Sequence, residues 1–303
     1  MQEKGLISRV DGFLKYKYEE EKRNASLSFR VRPEFYNIDN PFNSIKLKAE
    51  GDYYQYEENF RWGFDVTKQK NFFNDNFLDL NYDVLTVIGD LSGFSIGDLI
   101  LNTNYGYANQ FIKGEGNYNL DLLFIDLKLI NSIDTDLKAG YGFYAERFFI
   151  KNEIKNQGPV NSHKNDGYRY GPQIGLNYIR DFIFNIDYRF LFHRSDFTTN
   201  FSYEHWIRLV AGKIFFNDWS AFLLVDYNSF ILRRTPNYIE GVTPLYTPLN
   251  LENRIYLKIA YELSDVFELY TKGGFFKDNL YEDKFSLEGW NAVVGIELNG
   301  DQL

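Results

Sequence analysis

The chain contains no cysteine, which excludes disulfides, thiolate nucleophiles and thiolate metal sites. Histidine occurs only as His163, His193 and His205, and their spacing forms no metal-ligand pattern. No run approaches 18 apolar residues, so no segment is long enough to cross a membrane as a helix. Amphipathic helical periodicity is also missing, which weighs against globular α/β and α+β folds. A repeat of fixed period is absent too, which disfavours propellers and solenoids. There is no basic block: 33 Lys and Arg face 42 Asp and Glu, for a net charge of −9. A nucleic-acid partner is therefore not expected. Residues 1–14 lack the cationic start and apolar core of a secretory signal, so an exported chain is expected here in its mature form.

What is abundant is aromatic. Phe, Tyr and Trp make up 19% of the 303 residues. They recur at every second position. In 182–192 the even positions are Phe182, Phe184, Ile186, Tyr188, Phe190 and Phe192, and the odd ones include Asn185, Asp187 and Arg189. Successive side chains of a strand point to opposite faces, so such a strand has one apolar and one polar face. The pattern also fills 168–178, 201–211 and 219–227. Each run has about ten residues, roughly twice the mean soluble strand and close to what a tilted strand needs to cross a bilayer. The mean hydropathy of −0.40 does not conflict, because half of each spanning strand faces water.

These observations predict an all-β protein: an antiparallel, up-and-down transmembrane β-barrel in a single domain over 1–303, with 1–8 as a short N-terminal tail. Sixteen strands are expected if the glycine-rich stretch 89–116 holds a hairpin, and fourteen if the first segments lie outside the wall. Bacterial barrels of this kind have even counts. Loops are expected at 37–43, 68–75, 151–166 and 233–250, and short turns at 57–59, 131–134, 179–181, 216–218 and 264–265. A sheet of about sixteen strands is too wide for its own side chains to fill, so the polar faces are expected inside and the apolar faces against lipid. Tyr16, Tyr18, Trp62, Trp219 and Trp290 are expected in interfacial girdles.

The alternating aromatic strands, the polar loops and the segment Gly289-Trp290-Asn291-Ala292-Val293-Val294-Gly295-Ile296-Glu297-Leu298 resemble Gram-negative outer-membrane β-barrels. The segment is similar to the closing strand that the family's assembly machinery recognises. It departs from the usual form because residues 299–303 follow it and no aromatic comes last. The resemblance implies an outer-membrane location and a porin-like architecture, without pointing to one named family.

The polar face is the expected functional surface. Arg169, Asp187, Arg189, Glu204, Arg208, Asp226, Arg254 and Lys258 are expected to line a pore, together with Arg30, Arg32, Arg61, Asp65 and Glu262. Opposed charges across a lumen would set ion preference. The leading expectation is a channel or export barrel passing solutes or polymers. The alternative is a barrel that anchors or scaffolds a secretion or surface complex. A third reading rests on His193-Arg194-Ser195, which resembles the His-x-Ser pair of outer-membrane phospholipases and lipid A deacylases. Residues i and i+2 of a strand share a face, so an imidazole could serve a hydroxyl. Yet Ile207 stands where those enzymes place an orienting polar residue, and the pair is expected to be two polar lining residues. Carboxylates and amides cluster at 73–76 and 278–283, where solvated turns are expected rather than calcium sites. No catalytic residue, metal or cofactor is assigned. The expected partners are outer-membrane lipid and other subunits of an envelope complex.

Overall fold

The computed structural model describes residues 6–37, 43–73, 81–113, 116–154, 161–195, 203–215, 218–228, 253–264, 267–279 and 286–298. They form sixteen strands of one sheet: β1 (Leu6–Arg9), β2 (Gly12–Glu20), β3 (Arg23–Asn37), β4 (Asn43–Tyr56), β5 (Arg61–Phe73), β6 (Asn81–Ile96), β7 (Leu99–Lys113), β8 (Gly116–Ser132), β9 (Leu137–Ile154), β10 (Asn161–Ile179), β11 (Ile183–Ser195), β12 (Tyr203–Phe215), β13 (Trp219–Asn228), β14 (Asn253–Ser264), β15 (Phe267–Asn279) and β16 (Ser286–Leu298). Sheet order follows chain order in an antiparallel, up-and-down manner. The exception is at the start, where β1 and β2 lie end to end along β3 and share its pairing. Residues 6–8, expected in a tail, thus belong to a strand.

The glycine-rich stretch is a hairpin. Gly97 at φ +61° supplies the left-handed turn residue between β6 and β7. Gly93 at φ +86° sits where the β6–β7 register shifts between Leu91 and Phe94, the signature of a β-bulge. Its N–H donates to Asn102 Oδ1 at 2.9 Å.

Two expected loops are largely strand. Residues 68–73 continue β5, residues 151–154 continue β9 and residues 161–166 open β10. These stretches are polar or mixed on both faces, so they extend the ladder without a hydrophobic period. The expected loop at 233–250 and the clusters at 74–76 and 280–283 lie outside the described residues, as do the turns at 216–217 and 265.

The chain forms two compact units. One comprises Met1–Leu127, Ala145–Tyr168 and Ser195–Phe197, and the other comprises Lys128–Tyr144, Arg169–Arg194 and Thr198–Leu303.

In the first unit, one face of β3–β6 is apolar along aligned rungs. Leu27 pairs with Gly51, Phe29 with Ala49 and Val31 with Leu47, and Gly51 pairs in turn with Val66 and Val66 with Val87. Toward the 74–80 end this face turns polar. Lys68 forms an ion pair with Asp83, and Lys70 stands 4.9 Å over the Phe72 ring. On β7 and β8 the amide of Asn109 donates to Asn119 Oδ1 and Asp121 Oδ1, both at 2.9 Å, and Tyr107 donates to the same carboxylate. The opposite face is ionic on β3–β6: Tyr54 donates to Asp65 at 2.7 Å, and Arg61 and Ser92 donate to Asp90 at 3.0 and 2.8 Å. On β6–β9 that same face buries Val84, Ala108, Leu120, Leu122 and Phe148.

In the second unit the apolar face runs along aligned rungs from β11 to β16. Phe184 pairs with Ala211, Ile186 with Leu209 and Tyr188 with Ile207, and the row continues through Val225, Ile255 and Phe275 to Trp290. These side chains remain open: Phe182, Ile255, Leu257 and Trp290 are 46%, 50%, 48% and 83% exposed.

Candidate functional site

The face opposite this apolar surface carries the second unit's charges. Directly opposed residues of antiparallel strands share a face, so register alone assembles a row. Asp187 of β11 pairs with Arg208 of β12, Arg208 with Asp226 of β13, and Asp226 with Arg254 of β14. The signs alternate across four strands. Arg208 Nε donates to Asp226 Oδ1 at 3.0 Å, and Arg254 Nε donates to Oδ2 at 2.8 Å. Asp226 is thereby clasped by two guanidiniums and nearly buried, while Arg208 stays half exposed. At the head of the row Lys128 of β8 donates to Asp187 Oδ1 at 2.5 Å. Gly175 of β10 makes this possible, because a Cβ there would stand 2.8 Å from Asp187 Oδ1.

One rung toward the ends of β11 and β12, Arg189 lies beside Trp206. Its guanidinium lies against both the Tyr144 and the Trp206 rings, 4.4 and 4.6 Å from their centroids, and these rings stand edge to face, 6.3 Å apart. Arg189 Nε donates to Gln173 Oε1 at 3.0 Å. The two aromatic rings and the Gln173 acceptor hold this cation in place.

Another rung on, Glu204 pairs with Leu191, and Arg169 Nη1 donates to Glu204 Oε1 at 2.7 Å. Their side chains are 1% and 0% exposed. The sequence predicted solvated lining charges, and all eight residues are on the charged face. This pair, however, is withdrawn from water, next to Leu191, which is also fully buried. A buried ion pair repays its desolvation only with good geometry and further polar contacts.

At the far side Lys258 of β14 donates to Glu268 Oε1 at 2.6 Å and lies 5.0 Å over the Tyr270 ring. Its cross-strand partner is another cation, Lys272, which stands 4.1 Å over the Tyr256 ring. The aromatic faces relieve this like-charge contact. The same face also holds Val210, Phe222, Leu224, Tyr256 and Ala260, so it is mixed rather than wholly polar. Sequence reasoning passed over Lys128, Tyr144, Trp206, Glu268 and Lys272. Strand parity was the available signal: each falls on the same alternate positions as its charged neighbours.

The His193 and Ser195 side chains lie outside the described residues, although their backbone is in β11. Ile207 lies on the apolar face, paired with Tyr188. His205 is on that face as well, with Tyr188 Oη 2.8 Å from its Nδ1.

No protein-family description matches the sequence, and no curated relative does. Similar solved structures include BauA, the ferric preacinetobactin receptor from Acinetobacter baumannii, at 8% identity and a TM-score of 0.42, covering 94% of this chain and 57% of that one. The copper transporter OprC is similar at 11% identity and a TM-score of 0.45, covering 96% of this chain and 55% of that one. The alcaligin outer-membrane receptor FauA from Bordetella pertussis is similar at 10% identity and a TM-score of 0.42, covering 96% and 62%. The chain thus spans between 55% and 62% of the length of these structures. At TM-scores of 0.45 and below, such likenesses leave function to be read from the strands themselves.

Proposed function

We propose that the sheet is the wall of an outer-membrane β-barrel and passes solutes along its charged face. One observation carries this reading: large apolar side chains stand exposed in aligned rows on one face, while ionic networks occupy the other. A continuous apolar surface of this extent needs lipid against it. Its height fits a bilayer. On β13 the apolar face runs from Trp219 to Tyr227, about 27 Å along the strand at 3.4 Å per residue, and about 20 Å along the membrane normal at a tilt of 35–45°. Trp219 stacks near Tyr261 at one end, and Trp290 near Phe275 at the other, with ring centroids 4.8 and 5.7 Å apart. Strands of 13 to 19 residues are longer than a crossing requires, so their ends project into water.

The scaffold reading has its own support. The buried Arg169–Glu204 pair and the buried Leu191, Tyr256 and Ala260 describe a charged face that is packed in places. A barrel filled this way would anchor partners rather than conduct. A hydrolase reading is not favoured, because Ile207 belongs to the apolar surface and orients nothing toward Ser195. Planar-bilayer recordings on the purified full chain decide between channel and scaffold. Ion conductance is expected. Folded, heat-modifiable protein that never conducts would overturn the channel in favour of the scaffold.

A further inference from the structure

The end strands of the sheet differ from its interior. β1 and β2 lie end to end along β3 and fill one place, so the sixteen strands fill fifteen places. Neighbours are antiparallel, so the strands at the first and fifteenth places, β1–β2 and β16, run in the same direction. Among the described residues β2 pairs with β3 alone, and β16 with β15 alone. All nine residues of β2 are exposed, on both faces. On β16, Trp290, Val294 and Ile296 of the apolar face are 83%, 76% and 66% exposed, and Val293 of the opposite face 40%. Most of the interior strand β12, by contrast, is at least partly covered.

Unpaired N–H and C=O groups are costly in hydrocarbon, so a sheet embedded in lipid keeps no open edge. Direct pairing of the two end strands would be parallel, the weaker ladder, whereas bacterial single-chain barrels are antiparallel with even counts. One further strand meets both requirements. Residues 1–303 do not supply it. Every connection from β2 onward joins two antiparallel neighbours, starts and finishes on one side of the sheet, and so adds crossings only in pairs. Residues 1–5 and 299–303 fall short of the roughly 9–11 that a crossing strand needs. A second copy inserted in the same orientation brings edges of the same direction, and pairs only in parallel.

We propose that the free edge of β16 is a docking site for one amphipathic strand of a partner protein, added in antiparallel fashion. The partner strand alternates. Its apolar side chains extend the row of Trp290, Ala292, Val294 and Ile296 against lipid, and its polar side chains join the opposite face. The proposal rests on the outer-membrane reading of the sheet and names the kind of partner that would complete it.

The chain has no cysteine, so introduced thiols report alone. Trp290→Cys and Ile296→Cys mark the two ends of the apolar row, about 20 Å apart at 3.4 Å per residue. Each full-length variant is refolded into liposomes with a synthetic peptide of about eleven residues that alternates leucine with threonine and carries one cysteine near either end. In an antiparallel pair, the thiol near the peptide's C-terminus meets Trp290→Cys, and the one near its N-terminus meets Ile296→Cys. These two combinations should give at least tenfold more disulfide than the reversed two. A peptide of the same composition with its leucines grouped should give at least tenfold less. On the unmodified chain the alternating peptide should slow hydrogen exchange of β16 at least tenfold and leave β12 as it was, which carries the test if the variants misfold. A reversed preference, no preference, or no disulfide with unchanged exchange would overturn the proposal. A disulfide between two copies of Ile296→Cys, formed in preference to the peptide's, would assign the edge to a second copy and overturn it as well. So would a disulfide within one chain between Trp290→Cys and Leu14→Cys or Tyr16→Cys of β2, which would show parallel self-closure. In each of these outcomes the protein still floats with liposomes. Loss of flotation would instead overturn the outer-membrane reading, and this inference with it.

Discussion

The two compact units use the same alternation and arrive at different surfaces. In the second unit the apolar face runs from β11 to β16 with His205 and Lys213 as its polar members on β12, and the opposite face mixes ion pairs with Val210, Phe222, Leu224 and Tyr256. In the first unit the apolar face is broken by Lys68, Lys70, Asp83, Asn109, Asn119 and Asp121, and the opposite face of β3–β5 is almost wholly polar. The difference teaches that period-two alternation assigns a side chain to a face and leaves its medium open. Whether that face meets lipid, water or protein depends on height along the strand and on what the neighbouring rungs supply.

The largest effect is expected where a charge is most deeply withdrawn. Glu204→Leu or Arg169→Leu alone leaves the other charge buried and unpaired, and should cost about 3–5 kcal/mol. The double replacement removes both charges and should cost much less than the sum. Denaturant unfolding in liposomes, followed by tryptophan fluorescence, measures all three. Additive losses would mean that water reaches the pair after all. By contrast Arg208, half exposed in the same unit, should lose at most about 1 kcal/mol on change to Ala.

The next effect compares faces and heights. Phe184→Arg puts a cation on the apolar face, on the rung that runs through Ala211 to Leu223 in the middle of β13, and should cost about 2–4 kcal/mol of insertion stability, whereas Asn185→Arg on the adjacent position should be tolerated. In the first unit Phe64→Arg should behave like Phe184→Arg. Phe72→Arg, beyond the native Lys68 and Lys70, should cost only about 0–1 kcal/mol. Equal tolerance at Phe184 and Asn185 would sink the assignment of lipid to this face.

The strands and their phase were legible because large apolar residues recur at every second position, as at 182–192. The β6–β7 hairpin was legible from its glycines, of which Gly97 occupies a left-handed turn. The extension of β9 to Ile154 and of β10 back to Asn161 was not. Asn161-Ser162-His163-Lys164-Asn165-Asp166 has no apolar side, and a ladder continued by backbone hydrogen bonds leaves no mark on hydrophobic period. Of the candidate site, membership of the charged face could be read from parity. Pairing could not, because it depends on register: Arg208 meets Asp226 only because the β12–β13 ladder sets them opposite one another. Burial of Arg169 and Glu204 was equally silent in the sequence, since it comes from tertiary packing.

A smaller effect concerns close approach. Tyr256 lies across Gly274, where an added Cβ would stand 2.0 Å from Ile255 O and 2.5 Å from Tyr256 Cδ1. Gly274→Ala should therefore cost about 1–3 kcal/mol by overpacking. Gly289→Ala, with nothing within 4 Å, should be close to neutral in the same unfolding measurement. Equal stability of the two variants would show that the β14 backbone at Ile255 and the Tyr256 ring both shift without cost.

The smallest effect fixes where the apolar surface of the first unit meets water. Lys68 and Asp83 form an ion pair on the apolar face, with side chains 49% and 27% exposed. Beside an aqueous interface such a pair is screened, and a double-mutant cycle of Lys68→Ala and Asp83→Ala should give a coupling of about 0.2–1 kcal/mol that falls as salt is raised. Within hydrocarbon the same pair would be screened little, and removing one partner would strand a charge in an apolar medium. The coupling would then reach several kcal/mol and ignore salt. The first outcome is expected, because Asn109, Asn119 and Asp121 form a hydrogen-bonded polar patch on the same face of β7 and β8. A large, salt-insensitive coupling would instead extend the lipid-facing surface past Lys70, and would make the two units' apolar faces equal in height despite their different composition.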